Sequence, residues 1–435
     1  MTANACSTIN RLKAIIVVRH ENELKSFLSA EKGFRSEQYN IGLSILHYVA
    51  GREFETAEEA DEWVSYALVQ KEQDIEMESR YGGLRPLHCA CEWGNIFGVE
   101  YLVSHGANVD RKDAGGPTPY SYALRSSVDT MKKLLYLEEH GYVLMPTDIL
   151  GAAYNKFSSS EKADEIFHYL VNEKGLSVNA IDEDCATPLH YACKDGSIFG
   201  VKWLVEHNAD INNSDMFEDI TPFLLACGSS IDRSLKAHYL CEKGADCGAS
   251  DWDGESALFY AVRQSQCKDD MKDFLQYLVI EKGNDINSVN ENGMTPLLYA
   301  CYFHPSFVVI QQLIELGADL SVSSKMGNAL HMAAQNRHTT KSIIDLLIEN
   351  GADGTCLDKD GKTPHEVARD GEIKALLRQN YDAVRFSVLQ QEMPFVASAN
   401  PFETSSTCMA ANPKKSLCVR VKKHERSEAK APKKF

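Results

Sequence analysis

The sequence predicts an all-α repeat solenoid: stacked helix-turn-helix units with projecting β-hairpin turns. Three observations predict it. TPLHYAC at 187–193 returns as RPLHCAC, TPFLLAC, TPLLYAC and NALHMAA, ending at Cys91, Cys227, Cys301 and Ala334. With Pro188 as marker, equivalent positions fall at Ile45, Pro86, Pro119, Asp148, Pro188, Pro222, Ala257, Pro296, Ala329 and Pro364, in steps of 29 to 41 residues. After most of them the chain reaches a glycine and then a polar Asn/Asp/Gly-rich stretch. A catalytic string is normally used once, whereas one that keeps returning is architecture.

Each unit can be read in order. Thr187 is a good N-cap, because its hydroxyl can accept from a free backbone N–H. Pro188 suits the first helical position, where no N–H is needed. Leu189, Ala192 and Cys193 share one side of a short helix, and their small size admits a close neighbour. Gly196 ends it, and Val201, Leu204 and Val205 stripe a second helix. A left-handed cap follows at Gly106, Gly141, Gly175, Gly244, Gly283, Gly317 and Gly351, with Asn208 in that slot of the unit starting at Thr187. ANVDRKDAGG (107–116), ADINNSDMFED (209–219) and NDINSVNENG (284–293) then read as hairpin turns. The longer steps imply insertions, read as lengthened second helices such as DDMKDFLQYLVIEKG (269–283).

This grammar resembles the ankyrin repeat family, whose period is near 33 residues and whose units open with T-P-L-H-x-A. The resemblance covers about residues 40 to 380. It gives three expected segments: capping helices over 1–40, with a helix pair at 9–30; a repeat array of about ten units over 41–380; and a mostly disordered basic tail over 381–435. TPHEVARDGEIKALLRQN (363–380) reads as the closing repeat, with Lys374 and Arg378 on a more polar outer face. FSVLQQEMPF (386–395) reads as one more short packed element.

Composition narrows the function class. The longest purely aliphatic run, Ala14 to Val18, is far too short to span a bilayer or to form a signal peptide core. The 13 cysteines are odd in number and lack CxxC spacing, so neither a disulfide framework nor a zinc site is expected. A reducing, cytoplasmic setting is the expectation, with the nucleus as an alternative through the basic tail. The net charge of −17 divides into +7 over Ser405–Phe435, with nine Lys/Arg against two Glu, and −24 over the rest. An acidic body repels phosphate, which argues against nucleic acid and for basic protein partners. A monomer without cofactor or metal is expected; there is no HExxH, P-loop or GxGxxG.

His88 with Cys91, and His190 with Cys193, lie three apart on one helical face. Such a pair could be a nucleophile and its base. The pair recurs in one repeat slot, however, and the resemblance implies that this histidine braces the turn between units. The expected function is therefore a non-catalytic scaffold or adaptor. The resemblance also implies that partners are gripped by hairpin tips and by the exposed side of the first helix. Carried over unit by unit, that gives Glu92, Trp93, Lys194, Asp195, Trp252, Asp253, Arg263, Gln264, Tyr302, Phe303, Gln335 and Asn336. Trp93 has two readings, as an anchor or as packing on a neighbour, whereas Trp252 in SDWDGES (250–256) stands at a tip with no core for it. Three tips are acidic: Asp182, Glu183 and Asp184; Asp215, Glu218 and Asp219; Asp251, Asp253 and Glu255. They are either solvated turn formers or an edge for a basic peptide, such as this chain's own tail. In the tail, Asn400-Pro401-Phe402 resembles the ligand of EH domains in endocytic adaptors. RVKKHERSEAKAPKKF (420–435) reads first as a solvated end.

Overall fold

The computed structural model describes residues 44–70, 73–80, 82–263 and 271–392; the expected helix pair at 9–30 and everything after residue 392 lie outside the described residues. Ten helix pairs follow one another among those described. They are α1 (Ile45–Ala50) with α2 (Ala57–Ser65), α3 (Pro86–Glu92) with α4 (Ile96–Ser104), and α5 (Pro119–Arg125) with α6 (Thr130–Glu139). Next come α7 (Asp148–Ala153) with α8 (Ser160–His168), α9 (Pro188–Lys194) with α10 (Ile198–Glu206), and α11 (Pro222–Cys227) with α12 (Arg233–Glu242). The last are α13 (Ala257–Arg263) with α14 (Met271–Gln276), α15 (Pro296–Phe303) with α16 (Phe307–Glu315), α17 (Ala329–Gln335) with α18 (Lys341–Glu349), and α19 (Pro364–Val367) with α20 (Gly371–Glu392).

The helix starts follow the expected chemistry. Thr118, Thr221 and Thr295 accept from the backbone N–H of Ser121, Leu224 and Leu298, each ahead of a proline at the first helical position. The unit at Asp148 lacks Thr-Pro, and the buried Asp148 carboxylate takes over by accepting from Met145 N at 2.7 Å and from Tyr142 Oη at 2.8 Å. Second helices end in left-handed caps. Gly106 has φ 95° and Asn208 φ 68°, in the same slot of two successive copies of IFGVxxLVxHxA. The hairpin turns carry little strand pairing; Ser250–Ser256 and Ser324–Gly327 are isolated bridges. Side-chain bonds close the turns instead.

The units are grouped in threes. The long steps of 41, 40 and 39 residues begin at Ile45, Asp148 and Ala257, every third unit. In each of these the second helix is prolonged by one π-helical turn: Tyr66–Gln70, Tyr169–Glu173 and Tyr277–Glu281. A π turn absorbs an insertion while the helix keeps its buried face. First helices pack against one another along the whole array, but second helices pack mainly within trios: α2 with α4 and α6, α8 with α10 and α12, α14 with α16 and α18. At the first boundary a cavity of about 240 Å³ opens between the starts of α6 and α8, lined by Ser127, Thr130, Lys132, Lys156 and Lys162 among others.

Two trios share a buried lysine. SSVDTMKK (126–133) and SSIDRSLK (229–236) occupy the same place. Lys133 is fully buried, and its Nζ donates to the carbonyls of Cys91 (2.9 Å) and Gly94 (2.6 Å) and to Ser126 Oγ (2.9 Å). Lys236 does the same toward Cys193 O (3.0 Å) and Ser229 Oγ (3.1 Å). Each ammonium closes the C-terminal end of the preceding unit's first helix, where carbonyls lack partners and the helix dipole favours a cation. Burial lowers both side chains to a pKa of about 8. In the third trio the slot holds the buried Ile343.

Two expectations change. Cys241 and Cys247 form a disulfide, brought together by the turn after α12 at Gly244. The described part of the expected element at 386–395 is not a separate helix: α20 continues through 386–392, and Phe386 is exposed.

Candidate functional site

The hairpin tips are built around their leading acidic residue. Asp182 Oδ1 accepts from the backbone of Asp184 (3.0 Å) and Ala186 (2.9 Å), and the Tyr191 hydroxyl donates to Oδ2. Asp215 accepts from Glu218 N (3.0 Å) and Ile220 N (3.2 Å). Asp251 accepts from Glu255 N (2.8 Å) and Tyr260 Oη (2.9 Å). Glu255 is buried against Arg263. Much of the acidic edge is therefore turn chemistry. The carboxylates left facing solvent are Glu183, Asp184, Glu218 and Asp253.

Backbone bonds tie successive tips together. Met216 N donates to Asp184 O (3.0 Å), Trp252 N to Glu218 O (2.9 Å) and Glu291 N to Asp253 O (2.8 Å). The tip at Asp215 has one residue more than its neighbours before the next N-cap, and it closes through Asp219 at φ 55°. The extra length projects Met216 and Phe217 into solvent, 53% and 56% exposed, and the next tip exposes Trp252 at 63%. Three large apolar side chains thus stand on two adjoining tips, rimmed by Asp184, Glu218, Asp253 and Glu291. Of the three, only Trp252 was expected; the longer tip was the available signal for the other two.

The remaining expected residues fall in several settings. Asp253 is exposed on the Trp252 tip, and Lys194 is exposed at the end of α9 with Asp195 half-buried behind it. Trp93 and Glu92 are half-buried at the end of α3; the Trp93 ring covers Gly51, where a methyl group would meet it at 3.3 Å, so packing is the better reading. Arg263 is occupied internally: it pairs with Glu255, and its Nε donates to Tyr299 Oη at 3.0 Å. Asn336 caps α17, donating from Nδ2 to the Tyr302 carbonyl and accepting from His338 N at 2.8 Å. Gln335 is half-buried beside it. Tyr302 and Phe303 meet edge to face with ring centres 4.8 Å apart, and Phe303 is 47% exposed. Gln264 and the Asn400-Pro401-Phe402 motif lie outside the described residues.

The histidine of the second Cys–His pair is a brace. Thr187 N donates to His190 Nδ1 (3.1 Å), which leaves Nε2–H to donate to Ile220 O (3.1 Å) in the next turn. His47 reaches Leu84 O at 2.8 Å and His331 reaches Lys362 O at 3.0 Å in the same way. Burial lowers His88 to a pKa of about 4 and raises the Cys91 and Cys193 thiols to about 12. A thiol so placed has almost no thiolate at neutral pH. No group of three or more His, Cys, Asp or Glu among the described residues is arranged to hold a metal ion, and no described helix is long and apolar enough to cross a membrane.

A family model described as ankyrin repeats matches residues 13–113, 54–148, 152–215 and 265–358, more than half of the sequence. The chain belongs to the ankyrin repeat family. Its repeats are accordingly a protein–protein interaction module. Ankyrin repeat protein FPV223 of fowlpox virus is 32% identical over 132 residues, which is 30% of this chain and 90% of that protein. Human Rabankyrin-5 is 30% identical over 161 residues, 35% of this chain but 13% of its own length. The palmitoyltransferase AKR1 of Lachancea kluyveri is 28% identical over 155 residues, 33% of this chain and 20% of the enzyme. Among solved structures, the human ASB11 ankyrin repeat domain is 22% identical with a TM-score of 0.45, over 53% of this chain and 96% of that one. The ankyrin repeat domain of Bcl-3 is 25% identical with a TM-score of 0.40, over 55% and 99%.

Proposed function

We propose that this chain is a non-catalytic scaffold or adaptor that grips a protein segment across the tips at 215–219 and 250–255. The observation that carries the reading is the solvent-facing cluster of Met216, Phe217 and Trp252 on adjoining tips. Exposed apolar side chains on adjoining tips, rimmed by polar groups, are suited to an interaction site, and aromatic anchors supply most of the binding energy there. The acidic rim and the absence of Lys or Arg from Trp203 to Asp232 favour a partner segment that sets basic residues around apolar ones.

The test compares proteins retained by the immobilised full chain with those retained by Phe217→Ala/Trp252→Ala. The double variant should keep its melting temperature and lose its partner, each truncated anchor costing ~2 kcal/mol if it is a hot spot. An unchanged set of retained proteins, or a large loss of stability, would remove the basis for the reading.

A further inference from the structure

α5 and α13 each end in an arginine laid over aromatic rings, and the two differ in an instructive way. Arg263 lies over Tyr260 (5.0 Å) and Tyr299 (5.7 Å). Its charge is met by Glu255, and its Nε by the Tyr299 hydroxyl. Arg125 lies over Tyr122 (5.1 Å) and Tyr154 (4.4 Å), a ring from its own unit and one from the next. Among the described residues it takes part in no ion pair and no hydrogen bond, and its Nε is buried without an acceptor.

The register explains the difference. Glu255 stands two residues before the start of α13; two residues before the start of α5 the chain has Pro117. Tyr299 stands three residues after the start of α15; three residues after the start of α7 the chain has Gly151. A Cβ at Gly151 would lie 3.1 Å from the Ser121 carbonyl oxygen, so a larger side chain there would be crowded by backbone. Both internal partners of the arginine slot are thus missing at Arg125, while the aromatic walls that hold the guanidinium remain. Two tip carboxylates near these rings are already engaged by tyrosine hydroxyls. Asp113 accepts from Tyr122 Oη at 2.6 Å and Asp182 from Tyr191.

We propose that Arg125 is a recognition point for an anionic side chain of a protein partner, a carboxylate or a phosphate, received between Tyr122 and Tyr154. A planar guanidinium already oriented by stacked rings loses little freedom on forming paired hydrogen bonds to an oxyanion. The site lies four units from Trp252 and is independent of that cluster.

The experiment uses the full chain labelled with nitrogen-15 arginine and follows the Nε–Hε signals during titration with acetate and with phenyl phosphate. Arg125→Gln assigns the signal. The Arg125 signal should move saturably while that of Arg263 stays fixed. A response to both probes indicates a carboxylate or phosphate ligand, and a response to phenyl phosphate alone a phosphorylated side chain. Pro117→Glu should abolish it by restoring the internal carboxylate that Arg263 has. The proposal is overturned if Arg125 responds no more than the exposed Arg111 and Arg337. It is equally overturned if Pro117→Glu responds like the wild type. Because the probes are small molecules, these outcomes are separate from partner capture by the Trp252 cluster.

Discussion

Replacing Lys133 by Met tests the buried ammonium directly. The side chain is fully buried, and its charge faces two carbonyls and a hydroxyl. A pKa of about 8 in the fold against 10.5 in the open chain means that folding disfavours the proton. Below pH 8 both states hold the proton and the charged form costs the fold about 3 kcal/mol. As pH rises from 8 to 10.5 the folded lysine is neutral while the unfolded one is not, so this penalty is relieved. By the same relation it is about 2 kcal/mol at pH 9 and about 1 kcal/mol at pH 10. Met removes the penalty but leaves the Cys91 and Gly94 carbonyls without a donor, at about 1–3 kcal/mol each. At pH 7 the two effects largely offset, and Lys133→Met is expected to be destabilised by about 1–2 kcal/mol. The gap to wild type should then widen by about 2 kcal/mol between pH 7 and pH 10. Urea melts at pH 7, 9 and 10 read it, and Lys236→Met is the replicate. The raised thiols of Cys91 and Cys193 pull stability down above pH 9 in both proteins and largely cancel in the comparison. A gap that is flat or narrows with pH refutes the reasoning.

Gly106→Val and Gly351→Val should each destabilise by ~1 kcal/mol or more; nothing lies within 4 Å of either glycine's missing Cβ, so a neutral result in chemical melts would contradict the strain argument at positive φ. Iodoacetamide at pH 7 should label Cys91, Cys193, Cys227 and Cys301 slowly in the folded chain and quickly in urea, all four being buried; fast labelling of Cys91 or Cys193 in the fold would reopen the nucleophile reading. Deleting 405–435 should tighten binding of a basic peptide, most visibly at low salt, if the +7 tail competes for Glu183, Asp184, Glu218 and Asp253. Equal affinity and equal salt dependence with and without the tail would end that idea.

The sequence by itself determined the repeat, its helix starts and its left-handed caps. These rest on local chemistry: a threonine beside a proline, a glycine where φ must be positive. It also placed Trp252, because a tryptophan in a turn has no core within reach. Tertiary packing decided what such residues do once units stack. Arg263 and Arg125 occupy the same slot of their repeats, yet one is spent on Glu255 and Tyr299 and the other has no hydrogen-bonding partner among the described residues. The acidic tips likewise looked uniform until Asp182, Asp215 and Asp251 proved to be closing their own turns. Lys133 and Lys236 lie on second helices, and only the stack supplies the carbonyls that receive their ammonium groups. For the two lysines and for the contact of Arg263 with Tyr299 the physical reason is the same. A repeat's sequence sets the direction of each side chain, but the group it meets belongs to the neighbouring unit, about 30 to 40 residues away in the chain.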